Sequence, residues 1–407
     1  MLNAPLALKL FEGFSIERWN DLIRPFALIE MDKAAEKMAL AYIIGKFEEE
    51  RGGEIDWDWA MHAALFELFR KIALCDIKSP VQRMIKSEFP GEYRKLNEWA
   101  LEQYRPLLGD GELFGVFAAY LAETAGSAPP QGDAVRRRTA RVLRAAHKFS
   151  TFRELEMIST VNEAQRLEKI RGEIWLDIDE FLDLRGVQKL ITRQRPFRFL
   201  LSIEQLRFQI RWNQTPRVPK TSVLGHSFFV AALTLLLGRG TGVSLCPKRR
   251  FNNFFSALFH DLPEAVTRDI ISPVKQATDG LSAIIKTIEG EVVAKELLPL
   301  MESFYADELL YFIGSEFDNR ILEGGKTRAV PFEELNARYN DDRFSPVDGM
   351  LIRLADHIAT FMEADLSIKY GITSPHLVEG RKTVLEAYQT SPPVSNFDIA
   401  GFLAQVQ

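Results

Sequence analysis

The chain has 407 residues, 46% hydrophobic and 26% charged, a balance that gives sizeable cores in two or three ordinary domains and excludes a disordered chain. Its 51 basic and 56 acidic residues leave a net charge of −5, which offers no basic footprint for duplex nucleic acid or an anionic membrane surface. Cys75 and Cys246 are the only cysteines, too few for a disulfide framework or a zinc finger. The opening MLNAPLALKLFEGF lacks the basic start and long apolar run of a signal peptide. No stretch approaches the roughly 20 apolar residues of a membrane span, so the expectation is a soluble, cytoplasmic protein.

In chain order, apolar residues recur at three and four in MALAYIIGKFEEE (38–50), WAMHAALFELFRKIAL (59–74), SFFVAALTLLLG (227–238), FNNFFSALFHDL (251–262) and MLIRLADHIATFMEA (350–364). That period predicts helices. Val/Ile/Thr runs between turns are scarce, so no sheet is expected and the fold class reads as all-α. TAGSAPPQGD (124–133) and EGGKTRAVPFEELNARYNDDRFSPVDG (323–349) read as loops, and KLITRQRPFRF (189–199) as a joint between halves.

The two halves repeat. At a constant offset of 193, Arg211-Trp212-Asn213 falls on Arg18-Trp19-Asn20, Arg217 on Arg24, Gly238 on Gly45 and Ser272-Pro273-Val274 on Ser79-Pro80-Val81. Eight of the nineteen positions from 257 to 275 are identical, where composition alone gives about one. The reading is a tandem duplication of one helical domain, residues 1–190 and 200–407. The shared positions are mostly apolar, Gly or Pro. The differences fall where chemistry would sit: His226 on Lys33, His260 on Glu67, Asp261 on Leu68 and Glu264 on Lys71. The first copy keeps the scaffold and lacks the site.

In the second copy His226, His260, Asp261 and Asp356 can be assembled into one cluster. Two imidazoles and two carboxylates suit a first-row divalent ion and leave positions for water or substrate. Asp356 lies inside IRLADHIATF, an apolar helix in which an unpaired carboxylate is costly. A shared metal removes that cost; so would Arg353, three residues away. His357 adjoins Asp356 and could support the site. His62, His147 and His376 read as surface or packing residues, and Arg136-Arg137-Arg138 as a solvated face.

The pattern H…HD…D on a helical background resembles the HD-domain metal-dependent phosphohydrolases. With Arg211-Trp212 fifteen residues before the first His, Glu264 and Asp269 after the HD pair, and DIISPVK closing the block, it is most similar to the bacterial HD-domain 5′-deoxynucleotidases. The resemblance spans about residues 200 to 370 and implies one divalent ion (Mn, Co, Fe, Ni, Zn or Mg) on His226, His260, Asp261 and Asp356. It implies catalytic roles for Glu264, on the attacking water, and for Asp269, which together with Lys275 would line the substrate pocket. Arg211 would meet phosphate or sugar, and Trp212 would pack against the sugar; Trp212 also reads as a core aromatic and Lys275 as a helix-end charge. Gly225 stands where the family often has Glu. The substrate implied is a small phosphorylated molecule, a (deoxy)nucleoside monophosphate first, with another nucleotide or a non-enzymatic metal- or nucleotide-binding regulator as alternatives. Because nucleotidases of that branch are dimers, the two copies are expected to pack about a pseudo-two-fold axis, as a monomeric pseudo-dimer or within a homodimer.

Overall fold

The computed structural model describes residues 2–126, 133–268, 278, 280–389, 394 and 396–407. Helices dominate among them, and the chain divides into two compact units, Met1–Asp183 and Leu184–Gln407. The fold is all-α apart from one short hairpin.

The first unit contains helices α1 (Ala4–Phe11), α2 (Glu30–Glu50), α3 (Trp57–Leu74), α4 (Ser79–Glu88), α5 (Pro90–Glu102), α6 (Arg105–Leu108), α7 (Glu112–Ala125), α8 (Ala134–Ile158) and α9 (Ala164–Asp179). Helix α2 is buried nearly all round and packs on α8 and α3. Side-chain caps set the starts of several helices: Asn3 accepts the Leu6 N–H before α1, and Asp133 the Arg136 N–H before α8.

The second unit contains α10 (Arg185–Ile191), α11 (Arg195–Phe208), α12 (Val223–Gly238), α13 (Pro247–Phe259), α14 (Glu264–Thr267), α15 (Leu281–Val292), α16 (Ser303–Ile313), α17 (Phe332–Ala337), α18 (Gly349–Lys369), α19 (Pro375–Tyr388) and α20 (Ile399–Val406). Helix α12 is apolar on every face and buried from Val223 to Leu237, the signature of a central helix. Its start is fixed by Ser222, whose side chain accepts the Gly225 N–H. Helices α11, α13 and α18 pack around it.

Two sequence expectations are corrected. The segment 323–349 is not a plain loop. Strands β1 (Arg320–Glu323) and β2 (Lys326–Ala329) pair antiparallel across Gly324-Gly325, and α17 follows. Both glycines have positive φ, 58° and 76°, the backbone that a two-residue hairpin turn with matching twist requires. Two strands of four residues are too short to show a period, which is why the pattern hid them. The segment 189–199 is not a joint either: it holds the end of α10 and the start of α11, and the division between units precedes it. Most of the expected loop at 124–133 lies outside the described residues.

Local geometry repeats between the units at the offset of 193. Isolated antiparallel bridges join Glu17 to Ile29 and Ile210 to Ser222. The Arg18 N–H donates to Leu28 O, and the Arg211 N–H to Thr221 O. Trp19 and Trp212 both take left-handed backbone, at φ 58° and 57°, which is uncommon for a bulky residue and persists only when its surroundings impose it. Helices α2 and α12 both begin directly after their bridge.

Gly349 opens α18, the helix that carries Asp356, and a Cβ there would sit 2.3 Å from the Asp318 carbonyl oxygen. Backbone cannot yield as a side chain can, so Gly349→Ala should destabilise the second unit by about 1–3 kcal/mol. Urea melts should show an earlier midpoint for that unit's transition; an unchanged midpoint would mean that the chain here adjusts freely.

Candidate metal centre

Three helices bring the cluster together. His226 lies one turn into α12. His260 and Asp261 follow the last residue of α13, where the Leu262 N–H closes a turn on Phe259 O. Asp356 lies two turns into α18. His226, His260 and Asp356 each present one ligand atom within 4.8 Å of the others, and they are the group among the described residues that could hold a metal in this way. His226 Nε2 is 3.0 Å from Asp356 Oδ1. Asp261 joins them, its Oδ2 lying 3.2 Å from His260 Nε2 and 3.9 Å from His226 Nε2.

The outer nitrogen of each ring faces an oxygen, within hydrogen-bond geometry for His260 and at longer range for His226. His260 Nδ1 is 2.7 Å from Ala257 O, and His226 Nδ1 is 3.4 Å from Glu363 Oε1. An Nδ1–H held by an oxygen leaves the Nε2 lone pair facing the cluster, which is how metal-binding imidazoles are oriented. Both rings are buried. The electrostatics agree. Burial and Arg211 push the His226 pKa down, but Asp356 and Glu363 more than offset them and it ends raised. Burial pushes Asp356 towards its neutral form, yet the hydrogen bond and charge of His226, with Arg211, hold its carboxyl well below the usual range. The carboxylates therefore call for positive charge between the rings. A divalent ion supplies it on displacing the imidazole proton. The donor set fits such an ion: His226, His260 and Asp356 could each offer it one atom, with Asp261 beside them.

Arg353 does not serve Asp356; its guanidinium lies over the Phe317 ring at 5.4 Å. His357 turns away from the cluster, its Nδ1 2.8 Å from the Tyr388 hydroxyl. Glu264 opens α14 directly after the HD turn, its N–H donating to Asp261 O and its carbonyl accepting from Gln209 Nε2. Asp269 and Lys275 lie outside the described residues. Arg211 reaches the cluster: its guanidinium is 3.7 Å from Asp261 Oδ2, 3.9 Å from Asp356 Oδ1 and 3.2 Å from Glu363 Oε2. The Trp212 ring lies against Gly380 of α19, so close that a Cβ there would be 2.3 Å from it, and its Nε1–H donates to Glu363 at 2.9 Å.

Glu363 was not singled out in the sequence, yet it ties the site together. It accepts hydrogen bonds from Arg211, Trp212 and Thr221 and faces His226 Nδ1. Burial would raise its pKa, but Arg211, Arg217 and His226 hold it well below the ordinary range. The available signal was its place seven residues after Asp356, two turns along one face of a buried helix.

Residues 203–385 match the family described as HD domain. The match lies wholly in the second unit, from within α11 to within α19, and includes all four proposed ligands. HD domains bind divalent metals and are generally metal-dependent phosphohydrolases. No curated protein matches the chain. Among the described residues, no helix is long and apolar enough to cross a membrane.

Glu363→Gln keeps the volume but removes the charge that fixes His226 and Arg211. Support of this kind is worth about 10–100-fold in metal affinity. Competition against a chelator should show a loss of that size with the helical content unchanged; unaltered affinity would reduce Glu363 to scaffold alone.

Proposed function

We propose that the second unit is a metal-dependent phosphomonoesterase acting on (deoxy)nucleoside 5′-monophosphates. The observation that carries the reading is the convergence of two imidazoles and two carboxylates beside Arg211, with Glu264 one turn after the HD pair. A phosphomonoester carries nearly two negative charges and repels an attacking hydroxide. A bound divalent ion lowers the pKa of water and neutralises phosphoryl oxygens. The protein's own groups supply the rest. Glu264 accepts the proton of the attacking water as the new O–P bond forms. Arg211, held by Glu363 beside Asp261 and Asp356, balances charge on the transferred group. The ester P–O bond breaks and the nucleoside leaves as its alcohol, taking up a proton. Trp212, pinned by Glu363, shapes the pocket rim. Restriction to monophosphates, and to deoxyribose, rests on the resemblance of the Arg-Trp and DIISPVK text to the nucleotidase branch.

We propose also that the two units arose by tandem duplication. The paired bridges, the two left-handed tryptophans and their hydrogen bonds to one buried glutamate, Glu154 or Glu363, support this. A second match, at an offset of 209, aligns Arg144, Ala146, Thr151, Phe152 and Glu154 with Arg353, Ala355, Thr360, Phe361 and Glu363. It sets His147 on Asp356.

Three measurements test this reading. Phosphate release should be seen from nucleoside monophosphates with Mn²⁺, Co²⁺ or Mg²⁺ and should vanish on chelation. Glu264→Ala should retain metal while turnover falls by roughly 10²–10⁴; near-normal turnover would take Glu264 out of the mechanism. Elemental analysis should find one metal per chain, lost in His260→Ala. Two equivalents, one of them surviving that substitution, would contradict a single centre.

A further inference from the structure

The first unit lacks the metal ligands but retains the cleft. A cavity of about 420 Å³ is lined by Arg18, Trp19, Lys71, His147, Ile170 and Ile174, among others, a size in the range of small-molecule sites. By the two offsets, Arg18, Trp19, Lys71 and His147 stand where the second unit has Arg211, Trp212, Glu264 and Asp356. The cavity therefore occupies the place of the metal centre, with different chemistry.

The charged groups on its floor differ. In the second unit three carboxylates, Asp261, Asp356 and Glu363, face one guanidinium, Arg211, and a cation is needed to balance them. In the first unit Leu68 and His147 replace the two aspartates and Lys71 replaces the glutamate. Lys33 takes the place of His226, and its ammonium donates to His147 O at 3.0 Å and Thr151 Oγ1 at 2.8 Å. Arg18 is shared between Glu30 at 2.7 Å and Glu154 at 3.0 Å. Glu67, in the place of His260, is paired with Lys37. Arg18, Lys33 and Lys71 thus stand among the buried carboxylates Glu30, Glu36 and Glu154, with the charge of Lys33 weakened by its burial.

Lys71 forms no ion pair within 4.0 Å among the described residues. The cations at the rim are matched: Lys78 with Asp21, Arg83 with Glu173 and Lys148 with Asp177, while Asp76 accepts from Asn20. Lys71 is therefore the lining cation left without a carboxylate partner among the described residues. The imidazole of His147 registers the nearby cations: burial first, then Lys33, Lys37, Arg18 and Lys71, hold its pKa well below the ordinary value. One wall, formed by Trp19, Ile170 and Ile174, is apolar.

We propose that this cavity binds the phosphoryl group of a small phosphorylated molecule without a metal, Lys71 and Arg18 meeting the anion and the apolar wall meeting its organic part. The second unit's charge cradle suits a cation; the first unit's, with Lys71 unpaired beside Arg18, suits an anion. The proposal does not depend on the hydrolytic reading of the second unit.

The test uses the full chain carrying His260→Ala and treated with EDTA, so that the metal centre cannot contribute. Inorganic phosphate, adenosine 5′-monophosphate and adenosine are titrated by calorimetry. Saturable binding of the phosphate-bearing probes is expected, with none for adenosine, weakened at least about tenfold by Lys71→Ala and by the more conservative Lys71→Met. Both variants should keep the parent's helical content and melting curve. Tighter binding of the nucleotide than of inorganic phosphate would assign the apolar wall to the organic part; equal binding would assign the site to phosphate itself. Lack of saturable binding up to about 10 mM, equal binding by adenosine, or affinity unaffected in both folded Lys71 variants would overturn the proposal.

Discussion

A buried carboxylate holding an arginine–tryptophan turn is the constraint on which each unit depends. Glu363 in the second unit and Glu154 in the first are buried on long helices, where an unsatisfied charge would be costly. Each is satisfied by the same pair: the guanidinium of Arg211 or Arg18 and the indole N–H of Trp212 or Trp19. To deliver both groups to one carboxylate the chain turns through a left-handed tryptophan. The bonds stabilise that turn, and the turn places the next helix, α12 or α2, directly beyond its bridge. Because the arrangement is the same with and without metal ligands, its first task is structural.

The metal centre is built on that frame. His226 lies on the helix that the turn positions, and its outer nitrogen faces the same glutamate. Arg211, held at one edge by Glu363, reaches the carboxylates of Asp261 and Asp356 with its other nitrogens. One carboxylate thus orients a ligand and a cationic side chain together, and the HD turn at the end of α13 closes the cluster from the opposite side.

The first unit shows what the frame tolerates. Replacing His226 by Lys33 puts an ammonium into the interior of a helical bundle. Burial lowers its pKa to about 7, against the pull of Glu154, and its protons go to His147 O and Thr151. A group fixed to the chain there takes the place that His226 holds beside the proposed metal in the second unit. A cavity lined by Arg18, Trp19, Lys71 and His147 remains beside it.

The helical class was legible in the sequence by itself, as were the proposed repeat and the His and Asp residues, His226, His260 and Asp356, that the fold brings together. Helical period, a constant offset and the adjacency of His260 and Asp261 are local features, legible without a third dimension. The sequence also carried the loss of ligands at Lys33, Glu67 and Leu68. The hairpin at 320–329 escaped because its strands are shorter than any period they could display. His147 escaped as the counterpart of Asp356 because the offset between the copies changes from 193 to 209 before the last helix of the site. Only the tertiary structure decided what Glu363, Arg353 and His357 do. On one helix these three have neighbours of similar character, and their partners come from α19 and the Arg-Trp turn or, for Arg353, from Phe317. Which charge a buried carboxylate meets depends on packing between segments distant in the chain, and no spacing along a single helix encodes it.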